Sequence, residues 1–169
     1  MAIPEGLPKR KQIRLQTYDY SSTGVYFVTI CTAEKRCILS RIPVGGGVLD
    51  APKTELSAHG KIVEKTILDI DRQYSDLSID KYVIMPNHIH LLISVTDNGA
   101  SRTPPPTAAN ARIPSVISTL KRFTNKACGI SLWQRSYYEH VVRNEDDYRE
   151  IWDYIDTNPA RWADDCYWA

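Results

Sequence analysis

No apolar run in the 169 residues approaches the roughly 18 that a membrane-spanning helix requires. The amino-terminal stretch MAIPEGLPKRKQ has no apolar core of the kind a signal peptide carries, so the sequence predicts a cytoplasmic protein with no membrane partner. Cysteine is scarce. Cys31, Cys37, Cys128 and Cys166 form no CxxC pair and are too few for a disulfide scaffold, so they are expected as reduced thiols. Net charge is nearly absent as well, at +1, and taken whole it points to no polyanionic partner. What is present, 43% apolar and 24% charged side chains, excludes disorder for most of the chain and fits a single globular domain over 1–169.

The small net charge hides an uneven distribution. Residues 98–143 hold seven basic side chains and one acidic, residues 1–49 seven and three, and residues 144–169 two and eight. Two basic blocks and an acidic end therefore create local fields that the total conceals.

Hydrophobic periodicity sets the element order. Gly24 to Ala33 is rich in β-branched and aromatic residues and reads as a strand. Residues 36–49, with three consecutive glycines, read as a ragged hairpin or loop. A helix follows from Thr54, capped by Thr54 or Ser57, with Leu56, Val63, Ile67 and Ile70 near one face. Ser78 to Met85 and His88 to Val95 are expected to pair as antiparallel strands about a Pro86-Asn87 turn. Residues 97–111, with three consecutive prolines, read as a flexible surface loop. Ile113 to Cys128 reads as a helix with a Val116, Leu120, Phe123, Ala127 stripe, ended by Gly129. Leu132 to Arg143 reads as a strand with an irregular start, and Asn144 caps a last helix that runs to about Thr157. Without the hairpin the order is β α β β α β α. That predicts an α+β fold of ferredoxin-like (split βαβ) type: an antiparallel sheet with two helices on one face, plus a surplus carboxy-terminal helix.

In HIHLLISV, strand alternation puts His88, His90, Leu92 and Ser94 on one face and Ile89, Leu91, Ile93 and Val95 on the other. The all-aliphatic face must be the core. The two imidazoles then stand side by side, roughly 7 Å apart at Cα, with ring nitrogens able to converge on one cation. The competing reading is a pair of partly exposed histidines with no ligand. In the last helix Tyr148, Ile151, Trp152 and Ile155 make the buried stripe; Tyr154 lies off its centre, and Asn158 faces the same way one turn later. An amide oxygen can ligate a hard cation, and a phenol beside that cation is a nucleophile once something takes its proton. Tyr137, Tyr138 and Tyr148 are rival hydroxyls, and Pro159 biases Asn158 away from helical geometry. Asp153 and Asp156 either bind a second cation or face solvent.

The runs YDYSSTGVYFVTICT, YVIMPNHIHLLI, STLKRFTNK with LWQRSYYEHVVR, and YIDTNP occur in this order along nearly the whole chain. Together they resemble the REP-associated tyrosine transposases, which are HUH single-tyrosine nucleases, U standing for a hydrophobic residue. The resemblance implies that His88, His90 and Asn158 hold Mg²⁺ or Mn²⁺ and that Tyr154 attacks a backbone phosphate of single-stranded DNA. A 5′-phosphotyrosine and a free 3′-hydroxyl would result, ready for rejoining. It also implies imperfect DNA hairpins as partners, met by the arm Lys9, Arg10, Lys11, Arg14, by the helix face Lys121, Arg122, Lys126, and by Arg135 with Tyr137 and Tyr138. Monomer and homodimer remain open. The alternatives are a non-catalytic hairpin-binding protein that retains the fold and a hydrolase that uses the histidine pair with a metal-bound water.

Overall fold

The computed structural model describes residues 23–43, 54–96 and 112–164. The arm Lys9 to Arg14, the glycine run, the proline-rich loop at 97–111 and Cys166 lie outside these residues.

Four long strands carry the fold: β1 (Gly24–Cys31), β4 (Leu77–Ile84), β5 (His88–Val95) and β6 (Tyr138–Val142). Two-residue strands β2 (Ser40–Arg41) and β3 (Glu55–Leu56) pair separately. The long strands lie in the order β4-β5-β1-β6, each antiparallel to its neighbour. Each outer strand thus runs parallel to the central strand one place away, which is the split βαβ arrangement the element order predicts.

Helices α1 (Ala58–Gln73) and α2 (Arg112–Cys128) cover one face. Ser57 caps α1, its Oγ accepting from Gly60 N at 3.0 Å, and Val63, Ile67 and Ile70 are buried behind it. Gly60 has to be small, because a Cβ there would meet the Leu39 carbonyl oxygen at 2.1 Å. Tyr26, Val28 and Ile30 of β1 and Ile89, Leu91, Ile93 and Val95 of β5 enter this core, as the strand alternation requires.

The α2 stripe differs from the sequence expectation. Its buried residues are Ile113, Val116, Ile117, Leu120 and Thr124, while Phe123 is 50% exposed, and Ala127 is exposed too. Thr124 can be buried because its hydroxyl is satisfied: it donates to Leu120 O and accepts from Trp133 Nε1 at 2.8 Å. The strand expected from Leu132 is also shorter. Trp133 makes only an isolated bridge to Thr32, and regular pairing begins at Tyr138. Between them Lys121 Nζ donates to the carbonyls of Gln134, Arg135 and Ser136 at 2.8, 3.3 and 3.2 Å, which ties this stretch to α2 before regular pairing begins.

Helix α3 (Glu145–Thr157) lies on the other face of the sheet, over Phe27 and Leu92, with Ile155 as its buried residue. Tyr148, Ile151 and Trp152, expected to be buried with it, are half-buried. This apolar contact is small, and polar contacts supplement it. A bulge in β4 turns Asp80 and Lys81 to the same side. Asp80 Oδ2 accepts from Tyr148 Oη at 3.2 Å, and Lys81 Nζ lies 2.6 Å from Asp156 Oδ1 and 4.5 Å from the centre of the Trp152 ring.

Candidate active site

His88 and His90 project from β5 toward α3, and they are 0% and 1% exposed. The partly exposed pair of the competing reading does not occur. Their Nε2 atoms face each other at 3.1 Å. The outer nitrogens are tethered: His88 Nδ1 lies 2.8 Å from Asn87 Oδ1 and His90 Nδ1 2.8 Å from Thr29 Oγ1. An amide oxygen only accepts, so Nδ1 of His88 carries the proton and its Nε2 lone pair points into the gap. At His90 the Thr29 hydroxyl can donate to Nδ1 or accept from it; with the His88 Nε2 lone pair in the gap, the 3.1 Å contact is a hydrogen bond when His90 Nε2 carries the proton and Thr29 donates. Burial, reinforced by the neighbouring His88, holds the His90 imidazolium well below the ordinary pKa of 6.5. At neutral pH that ring is therefore neutral, the form that ligates metal.

Two aromatic residues of the carboxy-terminal segment cover this pair. The Tyr154 ring stands 5.2 Å from that of His90 and 6.0 Å from that of Phe27, between centroids. The Trp162 ring lies 6.0 Å from that of His88. Asn158 lies between Tyr154 and Trp162 in the chain; it is 2% exposed, and its Oδ1 has no hydrogen-bond partner. Pro159 does not pull it out of register. Asn158 keeps φ −56° and ψ −42°, and the chain passes directly into a 3₁₀ turn over Asn158–Asp164, where proline is tolerated in the first turn.

This donor set fits a divalent cation. Adjacent ligands of an octahedral ion bound at about 2.1 Å are roughly 3.0 Å apart, close to the separation of the two imidazole nitrogens. A buried amide oxygen left without a partner is otherwise costly, and it is the hard donor such an ion accepts. Among the described residues no group of three or more His, Cys, Asp or Glu side chains is arranged to hold a metal.

Beside Tyr154 a cleft of about 620 Å³ opens between α3 and β6, with Tyr138, His140 and Asp147 on its walls. The other expected DNA contacts lie elsewhere. Arg122 and Lys126 are exposed on α2, across the sheet from the histidines, and Arg135 is exposed in the loop before β6. Lys121 is drawn inward: its ammonium serves the three carbonyls named above, and burial lowers its pKa to about 8. Tyr137 packs against the main core, while Tyr138 is 47% exposed. Asp156 pairs with Lys81.

The family model described as "Transposase IS200 like" matches residues 56–158, a span that contains the histidine pair, Tyr154 and Asn158. This chain belongs to the IS200-like transposase family. The transposase is 32% identical over 175 residues to an uncharacterized protein of Haemophilus influenzae, an alignment covering 95% of this chain and 93% of the relative. It is 28% identical over 110 residues to the REP-associated tyrosine transposase of Escherichia coli, covering 63% of this chain and 58% of that protein. Its fold matches a solved REP-associated tyrosine transposase bound to a REP hairpin, with a TM-score of 0.61 and 20% identity over 92% of this chain and 76% of the other. Among the described residues of the transposase, no helix is long and apolar enough to cross a membrane.

Thr29 and Asn87 hold the outer nitrogens of the histidine pair, and local sequence pattern marks one as a strand residue and the other as a turn former. The available signal was the period of two, which puts Thr29 on the face of β1 that meets the histidines.

Proposed function

We propose that this transposase cleaves and rejoins structured single-stranded DNA through a 5′-phosphotyrosine on Tyr154, with a divalent cation held by His88, His90 and Asn158. The observation that carries this is the 3.1 Å approach of two buried imidazole nitrogens beneath a helix whose tyrosine ring lies 5.2 Å from one of them.

In the cleavage step the Tyr154 oxygen attacks a backbone phosphorus, the bond to the 3′-oxygen breaks, and the phenol loses its proton. No phosphate energy is lost, so the free 3′-hydroxyl or that of another strand can reverse the step without ATP. Mg²⁺ or Mn²⁺, when bound, supplies charge stabilisation at the phosphate. The chain's own residues do the rest. Thr29 and Asn87 orient the imidazoles, Phe27 supports the Tyr154 ring, and the Asp80 and Lys81 contacts hold α3 on the sheet.

A DNA hairpin is the proposed partner, supported by the solved relative bound to one and by the seven-to-one excess of bases over acids in 98–143. Arg122, Lys126 and Arg135 are the described candidates for phosphate contacts, with the arm Lys9, Arg10, Lys11 and Arg14 as a further set. The test is incubation of labelled single-stranded hairpins from DNA flanking the gene with the protein and Mg²⁺, followed by a denaturing gel. A protein-linked band that disappears in Tyr154→Phe, with hairpin binding retained, is expected. Cleavage that survives Tyr154→Phe would favour the hydrolase, and binding without cleavage the non-catalytic reading.

A further inference from the structure

The cleft beside Tyr154 holds a second pair of titratable side chains that the scheme above leaves unused. His140 Nε2 lies 2.9 and 3.2 Å from the two carboxylate oxygens of Asp147. Asp147 is itself fixed: Arg143 N–H donates to its Oδ2 at 3.0 Å, and its own N–H donates to Asn144 Oδ1 at 2.8 Å, the cap of α3. The hydrogen bond from His140 is the largest cause of a carboxyl held below its usual range, so Asp147 is ionised and orients the ring. His140 is the cross-strand partner of Phe27, and Phe27 stands edge-on to Tyr154. His140 and Tyr154 therefore flank one aromatic ring and line one cavity.

We infer that His140, oriented by Asp147, is the proton acceptor for Tyr154, an inference that rests on the transesterification reading. With Nε2 held by Asp147, Nδ1 is the basic atom. As the phenol oxygen bonds to phosphorus its proton passes across the cleft to Nδ1, directly or through one water. The 3′-oxygen leaves with the bonding pair and takes a proton from solvent, and the imidazolium later discharges to solvent. The charged and titratable groups that line the same cleft are Asp147, Glu150 and Asp153 from α3, Arg161 from the following turn and Tyr138 of β6.

The test is the initial rate of protein–DNA adduct formation across a pH series, with a hairpin that scores in the gel assay and Mg²⁺. His140→Gln is expected to slow the adduct by roughly 100-fold or more and to abolish the rise in rate that follows imidazole deprotonation. Added imidazole restores part of the rate, and hairpin affinity and thermal midpoint stay at wild-type values. Should His140→Gln fail to fold, Asp147→Asn carries the test, because it keeps a polar partner and removes the charge; a slower rate and a displaced pH profile are expected. Profiles that superimpose on wild type would overturn the assignment of His140 alone. The absence of any Tyr154-dependent adduct from the wild-type protein would overturn the transesterification reading, and this inference with it.

Discussion

Thr29 Oγ1 lies 2.8 Å from His90 Nδ1, between residues that face each other directly across the β1–β5 pair. A hydroxyl at that register position holds the outer nitrogen of His90 and fixes the orientation of a proposed metal-binding ring. Such outer partners typically contribute 10- to 100-fold to metal affinity. Thr29→Val, similar in volume but unable to accept, is expected to weaken Mn²⁺ binding by about tenfold or more, while Thr29→Ser stays close to wild type. Isothermal titration of each variant with Mn²⁺ decides the matter, and equal affinities for Val and Ser would remove Thr29 from the site.

Asn158 invites a contrast between binding and stability. Its buried Oδ1 has no protein partner, so truncation removes no hydrogen bond at that atom. Asn158→Ala is expected to cost less than the roughly 1–3 kcal/mol typical of a disrupted buried hydrogen bond, yet to weaken Mn²⁺ binding clearly. Urea denaturation without metal, alongside titration with it, measures both. A large loss of stability with unchanged Mn²⁺ affinity would mean that the amide is structural.

Lys121 was expected on a DNA-facing surface and instead ties α2 to the loop before β6. Replacing it with methionine leaves three carbonyls without their donor, so Lys121→Met is expected to lose roughly 1–3 kcal/mol of stability. Arg122→Gln and Lys126→Gln, exposed on the same helix, should leave stability unchanged and reduce the salt dependence of hairpin binding. Denaturation midpoints and a salt series of binding constants separate the two behaviours.

The phenols that donate to carboxylates give the fold an alkaline limit. Burial and the charge of Asp80 raise the Tyr148 pKa above 10.0, and burial and Glu64 do the same for Tyr82. A pKa raised in the folded state means that the protonated form is the one the fold favours. The contribution is therefore complete below the unfolded value of about 10 and is lost as pH rises through the folded value. Thermal melts from pH 9 to 11, a range around that reference of about 10, should show the midpoint falling at the upper end. Tyr148→Phe should have a lower midpoint at neutral pH and a shallower alkaline fall, and a fall as steep as wild type would exclude Tyr148 as its source.

The parts of this molecule that follow a simple period were legible in the sequence. The period of two in HIHLLISV separated the histidines from the core, and helical spacing set Tyr154 and Asn158 on one side of α3. What failed were places where a distant group overrides the local pattern. Phe123 has the better hydrophobicity but Thr124 takes the buried position, because a Trp133 indole and a Leu120 carbonyl satisfy its hydroxyl. The β-forming run from Leu132 does not continue as a strand, because the Lys121 ammonium claims its carbonyls. No local scale registers a lysine thirteen residues away. The tethers from Thr29 and Asn87 were hidden for the same reason, since each becomes meaningful only once the strands are in register.

The sheet has two unlike sides. Against α1 and α2 it presents an almost unbroken apolar layer, and against α3 it presents Phe27, Leu92 and the partly buried Val25, Val83 and Val142, with a bulge and the ionisable groups. Substitutions on the first side will therefore be felt as changes in how long the molecule survives. Those on the second, outside the Asp80–Tyr148 and Lys81–Asp156 contacts that hold α3, will alter what it does while it survives, so much of the chemistry of this scaffold is free to drift without first endangering its architecture.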